Sequence, residues 1–410
     1  MTLTQTRKNF FAVILIVLFL ILIGQLRHAL LFDVPATPLR SPTSLADSTT
    51  TIVQNGSSDD ALDVIRRRNS ILLVTAYFPL TKSKHDDSEY KLWLEHFLPH
   101  IQTPIYFYTS SAYAPLIREL RGGLPIFIDT TFSSPFDIPP LQGRHEHYES
   151  LHKMDPERDH HSPDLYAVWN AKPWFLANGL QNYPLSPWHA FSFAFWIDAG
   201  SFRSQHSYRD WPDAKRVQDA WDQHMLNRPE TENHNEILFW PIDELPQKFR
   251  SNWTDEDGPF DMGDGHSYSI GSFFGGQLDG ISWYSKQYYH ALNHYFNEGH
   301  FVGKDQTVIN AIFMLFPSHF ISIWPSNPEY APLGACGNRW YYHQFFLASD
   351  SERSNMRSIW RSQWLTNLWT HGLEAFIQCR AVSSEDMTSL LRKRFGSDWN
   401  SPPIQPFLGD

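Results

Sequence analysis

Three short apolar runs alternating with two amphipathic stretches constrain this chain more than any other feature. ILLVTAYFPL (Ile71–Leu80), TPIYFYTS (Thr103–Ser110) and LPIFIDT (Leu124–Thr130) are rich in β-branched and aromatic residues and carry no charge apart from Asp129. Between the first two, SKHDDSEYKLWLEHFLPHI places Tyr90, Leu92, Trp93, Phe97 and Leu98 at roughly helical spacing, with acids near its start. AYAPLIRELRGG, before the third, closes on two glycines. Strand–helix alternation of this kind predicts a parallel sheet with helices on both faces.

The pattern continues downstream. DLYAVWNAKPWFLANGLQ (Asp164–Gln181) predicts a helix that Pro173 kinks or restarts. FSFAFWIDAG (Phe191–Gly200) predicts a strand, and the section from there to Gly265 reads as irregular. YSIGSFFGGQ followed by LDGISWYSKQYYHALNHYFNEG reads as a glycine-broken strand and a long amphipathic helix. HFVGKDQTVINAIFMLFPSHFISIWPS adds a polar turn, a buried helix and a short strand. Between Thr130 and Pro163 the chain is polar and His-rich. His145 and His147 stand two apart and His160 and His161 are adjacent, neither being the HExxH spacing, so a solvated loop is expected. Beyond Ser349, SIWRSQWLTNLWTHGLEAFIQC predicts an amphipathic helix packed on the main body.

The N-terminus differs in kind. Phe10 to Ile23 is uninterruptedly apolar behind Arg7 and Lys8, and the segment to Phe32, flawed by Gln25, Arg27 and His28, reaches the length that crosses a bilayer of about 30 Å. No small-x-small cleavage site follows it. The expected organisation is a cytosolic tail (1–9), a transmembrane signal anchor (10–32), a flexible stem (33–69), a main domain (70–348) and a C-terminal helical extension (349–410). The alternative is a cleaved signal peptide. This implies a single-pass type II protein facing the lumen of the endoplasmic reticulum or Golgi. The stem is rich in Pro, Ser, Thr, Asp and Gly and cannot bury enough apolar surface to order itself. Asn55-Gly56-Ser57 and Asn252-Trp253-Thr254 fit the N-glycosylation pattern. Cys336 and Cys379 are consistent with a disulfide in an oxidising lumen or with two lone thiols. A net charge of −11, with no Lys/Arg-rich stripe, argues against nucleic acid as a partner.

Candidate chemistry falls at the ends of predicted strands. The run FSFAFWID stops on Asp198, and an ionised group there costs several kcal/mol unless it is paired or hydrated. In open parallel sheets ligands bind outside the carboxyl ends of the strands. Besides Asp198 to Arg203, the polar features so placed are Ser83-Lys84-His85-Asp86, Lys172 and Gly303-Lys304-Asp305-Gln306. No GxxxxGK[ST], GxGxxG or GxSxG pattern occurs, which argues against P-loop, dinucleotide and α/β-hydrolase chemistry.

Five blocks in order, VTAYFPLTKSKHDDSEYKLWLEHFL, DLYAVWNAKPWFL, FWIDAGSFR, GGQLDGISWY and GKDQTVINAI, resemble the HtrL/YibB family of GT-A-like proteins over about Ile71 to Pro325. The resemblance implies an α/β, GT-A-like, open and mostly parallel sheet flanked by helices. It further implies a nucleotide-sugar donor and a glycan or glycoprotein acceptor. An Asp-x-Asp motif in GT-A enzymes holds a divalent cation against the diphosphate. Asp198 matches its first acid, and Gly200 stands where the second belongs. Binding of Mn²⁺ or Mg²⁺ through Asp198 and another carboxylate is one expectation. The other is a metal-free site in which Arg203, Lys172 or Lys84 supplies the positive charge. Asp305-Gln306 resembles the Asp-Gln element near the sugar in many GT-A enzymes, or else Asp305 simply caps a helix. Gly275 and Gly276 let a backbone approach a ligand closely, or make a bulge. The expected function is a glycosyltransferase of the hexosyltransferase type. Competing readings are a catalytically silent glycan-binding or nucleotide-sugar-binding protein and, more remotely, a hydrolase using a carboxylate pair.

Overall fold

The computed structural model describes residues 71–80, 82, 85–184, 191–226, 228, 235–263, 266–325, 340–371 and 382–403. All belong to one compact unit, Gly56–Asp410. The expected anchor and stem, together with Asn55, Lys84, Cys336 and Cys379, lie outside the described residues. Among the described residues no helix is long and apolar enough to cross a membrane.

Strands β1 (Ile71–Tyr77), β2 (Ile105–Thr109), β3 (Ile126–Asp129) and β4 (Phe193–Ile197) pair in parallel, as the alternation predicts. Side chains alternate between faces along a strand. Ile71 and Leu73 enter one buried cluster, and Leu72, Val74 and Ala76 the other. Both faces of β1, β2 and β4 are covered, which is why they read as continuous apolar runs, while the edge strand β3 is half-buried. Helix α1 (Asp87–Phe97) begins at a capping box, with Asp86 accepting from the Glu89 amide and Glu89 reaching back to Asp86. Helix α2 (Ala114–Arg121) stops at Gly122, whose φ of 59° disfavours a side chain.

Four further strands extend the sheet: β5 (Leu238–Pro241), β6 (Phe273–Gly276), β7 (Phe320–Pro325) and β8 (Val382–Asp386). The order is β3-β2-β1-β4-β6-β5-β7-β8. Strand β6 runs antiparallel to both its neighbours and β8 antiparallel to β7, while β5 and β7 are parallel. The sheet is therefore mostly parallel. The chain leaves β1 toward β2 and β3 and returns on the other side as β4, so the strand order switches between β1 and β4.

Several expectations are corrected. The section read as irregular contains α5 (Ala214–Leu226) and β5, an interior strand. At four residues ending in Pro241, β5 is too short to show a period. The His-rich loop contains helix α3 (His145–Met154), whose Tyr148 and Leu151 are buried. Pro173 does not divide α4 (Pro163–Asn182), which runs through it as one helix. After α6 (Leu278–Asn297), α7 (Asp305–Leu315) and the short α8 (Tyr342–Phe346), the extension forms α9 (Asp350–Ser362) and α10 (Trp364–His371). It then returns to the sheet as β8 and closes with α11 (Met387–Phe395), so it is not purely helical. Of the segment expected to pack on the body, Trp360 at the end of α9 packs against Phe345, whereas among the described side chains of α10 Trp364, Leu365 and Trp369 are 46, 63 and 93 % exposed.

Candidate functional site

A cleft of about 500 Å³ opens at the carboxyl ends of β1 and β4, where the strand order switches. Its walls come from the end of β1 (Tyr77, Phe78), the start of α1 (Asp86, Asp87, Glu89, Tyr90), α4 (Val168, Trp169, Lys172), the turn after β4 (Asp198 to Gly200, and Arg203) and Tyr341.

The placement of Asp198 follows from strand geometry. Its amide still donates to Ser272 O at 2.9 Å, continuing the ladder one residue past β4. Two residues apart on a strand means the same face, so Trp196 Nε1 reaches Asp198 Oδ1 at 2.7 Å. Helix α4 packs on that face through Tyr166, Ala167, Ala171 and Phe175, which delivers Lys172. Its Nζ lies 3.3 Å from Asp198 Oδ1 and 3.2 Å from Asp305 Oδ2 and donates to Gly271 O at 3.0 Å. Asp305 begins α7. Lys172 and Asp305 are buried, with side chains 5 and 7 % exposed, whereas that of Asp198 is 35 % exposed and faces the cleft.

On each of the two buried members of this charge triad, Lys172 and Asp305, burial and the opposite charge beside it act in opposite senses. Burial works against the Lys172 ammonium, but the carboxylates of Asp198 and Asp305 outweigh it and hold its pKa above the ordinary value. Burial pushes the Asp305 carboxyl upward despite the ammonium beside it, and the Asp198 charge adds to that. Asp305 Oδ2 has the Lys172 ammonium as an ionic neighbour at 3.2 Å but no hydrogen bond among the described residues.

Arg203 stands exposed at the rim. Its guanidinium lies 4.3 Å from the Trp93 ring centroid and 5.3 Å from that of Tyr341, and Nε donates to Gly200 O at 3.2 Å. No carboxylate pairs with it among the described residues. Two aromatic faces hold the cation and leave its outer edge for an anion. Burial raises the Tyr341 hydroxyl to about 12, so it is a neutral donor at physiological pH.

Of the other expected residues that are described, His85 and Asp86 line the cleft and the rest do not. Gln306 donates to Ser267 Oγ (3.0 Å) and Ser269 O (2.9 Å), bracing the segment before β6, and does not line the cleft. Gly275 and Gly276 are buried in the sheet. A Cβ at Gly275 would stand 2.1 Å from Ala194 O, and one at Gly276 would stand 2.4 Å from Ile237 O. Their close approach is to neighbouring strands, not to the cleft. Asp86 caps α1 and Lys304 pairs with Glu157. Trp283 stacks on His319 at 3.9 Å, remote from the cleft lining. Sequence reasoning missed Tyr341, whose surroundings carry no pattern. It also missed the part Trp93 plays, because its helical spacing equally fits a core residue.

A divalent cation requires several oxygen ligands. Asp198 offers one unengaged oxygen, Oδ2, while the ammonium of Lys172 already stands beside the other. A side chain at position 200 has no room, since a Cβ there would meet Trp93 Cε3 at 2.8 Å. The described residues around Asp198 therefore do not fit a carboxylate-bound metal. Asp155, Glu157 and His161 do bring ligand atoms within 4.8 Å of one another, away from the cleft lining. There His161 Nδ1 and Tyr166 Oη already engage Asp155, and Lys304 engages Glu157.

No protein-family profile matches the chain. No curated protein matches it either. Among solved structures it is similar to mouse xyloside xylosyltransferase 1 in its apo form, at 11% identity and a TM-score of 0.32, over 62% of this chain and 84% of that one. It is also similar to core-mannan synthase A from Aspergillus fumigatus in its Mn/GDP form, at 10% identity and a TM-score of 0.36, over 70% of this chain and 81% of that one.

Proposed function

We propose that this chain is a glycosyltransferase of the HtrL/YibB type, moving a sugar from a nucleotide-sugar donor to a hydroxyl of a glycan or glycoprotein in the secretory pathway. The observation that carries the reading is the Lys172 ammonium, fixed by Asp198, Asp305 and Gly271 O at the floor of a cleft at the switch point. The five sequence blocks support it from a separate direction.

In this reading Lys172 and Arg203 meet the diphosphate. As the bond from the anomeric carbon to the diphosphate oxygen breaks, negative charge grows on the leaving group, and cations already in place stabilise it without reorganising. Asp305 holds Lys172 charged and aimed. Asp198 Oδ2 accepts a hydrogen bond from a sugar hydroxyl. The rings of Tyr77, Tyr90 and Trp169 supply apolar walls. No step is routed through a metal.

Gly200 in place of a second acid favours a second reading, a binding protein without turnover. The full chain in detergent, incubated with UDP- and GDP-sugars with and without Mn²⁺, separates the two. Donor turnover establishes the transferase reading; saturable binding with neither hydrolysis nor transfer under any condition establishes the binder.

A further inference from the structure

We propose that Asn252 is an N-glycosylation site whose first sugar lies on the ring of Phe249. The assignment rests on the reading that the folded body faces a secretory lumen, and it goes beyond the transfer reaction. Lys248–Asn252 is a single 3₁₀ helix, in which residues three apart eclipse. Phe249 and Asn252 therefore share one edge. Phe249 is 74 % exposed on a well-anchored turn. The anchoring is firm on both sides: Trp253 is buried and donates to Gly258 O at 3.1 Å, and Trp399 Nε1 donates to Ser251 O at 3.3 Å. Asn252 is left exposed, its Oδ1 meeting only Ser251 Oγ at 3.5 Å and its Nδ2 without an acceptor among the described residues. Arg250 stands 5.4 Å from the Phe249 centroid, which occupies one ring face and leaves the other.

The modification is a group transfer from a lipid-diphosphate oligosaccharide. Asn252 Nδ2 bonds to the anomeric carbon of the terminal N-acetylglucosamine, the carbon–oxygen bond to the diphosphate breaks, the amide gives up one proton, and the lipid diphosphate departs. The apolar face of that sugar then covers the exposed ring.

The test expresses the full chain in a eukaryotic secretory host, releases glycans enzymatically in heavy-oxygen water and maps the labelled asparagines by mass spectrometry. Label at Asn252, lost in Asn252→Gln, is the expected result. Phe249→Ala should then lower the melting temperature of the glycosylated protein by a shift on the order of 2 °C and leave the deglycosylated protein unchanged. Label at Asn55 without label at Asn252 overturns the site while supporting the lumenal reading; label at neither overturns the site and leaves the lumenal reading to protease protection of the folded body in sealed microsomes. Equal effects of Phe249→Ala on both forms overturn the stacking contact.

Discussion

Trp93 occupies the space that any side chain at position 200 would need: a Cβ on Gly200 would stand 2.8 Å from Trp93 Cε3 and 3.1 Å from Cζ3. The indole cannot simply yield, because Arg203 lies on its face, with Tyr90 and His85 edge-on to it. Restoring a second acid by Gly200→Asp is therefore expected to destabilise the fold by about 1–3 kcal/mol and to create no metal affinity. Urea unfolding and titration calorimetry with Mn²⁺ check the two halves of this expectation.

Lys172→Met leaves Asp305 buried without its counter-charge and should cost about 3–5 kcal/mol at pH 7. Adding Asp305→Asn should recover most of the loss, because the two residues form one interacting unit. The pH dependence follows from sign. The folded-state pKa of Lys172 is raised above its ordinary value of 10.5, so its contribution is fully present below that value and fades as pH rises through the folded value. Unfolding of wild type and Lys172→Met should accordingly differ most at neutral pH, converging in strong alkali as Lys172 loses its proton and in acid as Asp305, whose pKa is raised by burial, gains one.

Arg203 is exposed and the role proposed for it is in binding, so Arg203→Ala should leave the melting temperature nearly unchanged. Affinity for a nucleoside diphosphate should fall about tenfold, the loss of one charge-assisted contact of roughly 1.4 kcal/mol. Arg203→Lys should recover little, since an ammonium neither forks nor stacks between Trp93 and Tyr341 as a guanidinium does. Calorimetric titration with UDP and GDP reads both variants.

Gly275→Ala should abolish folding outright. The new methyl would overlap Ala194 O at 2.1 Å, backbone against backbone, with no flexible group to move. Recovery of soluble, cooperatively melting Gly275→Ala protein would return this position to the list of candidate ligand contacts.

How legible the fold was in the sequence depended on length and burial. Strands β1, β2 and β4 announced themselves because both their faces are buried, which makes nearly every position apolar. That same feature made Asp198 conspicuous, a lone acid after five buried residues. Strand β5 was invisible because four residues cannot display a period, and its place between β6 and β7 is fixed by pairing distant in sequence. The charge triad was half legible. Lys172, Asp198 and Asp305 each stood out, but only the packing of α4 on the Trp196 face brings the lysine between the two acids. Gln306, Gly275 and Gly276 show the reverse case, chemically suggestive residues whose partners turn out to be the chain's own backbone.

The account turns on Asp198 and Lys172 acting on a nucleotide-sugar, and the most direct measurement is donor turnover by wild type and Asp198→Asn, each in EDTA and each with its melting curve recorded. The predicted result is wild-type turnover that survives EDTA and a loss of about a hundredfold or more in Asp198→Asn, measured below the melting transition of both proteins. Unimpaired turnover in Asp198→Asn, or wild-type turnover abolished by EDTA and restored by Mn²⁺, would contradict it.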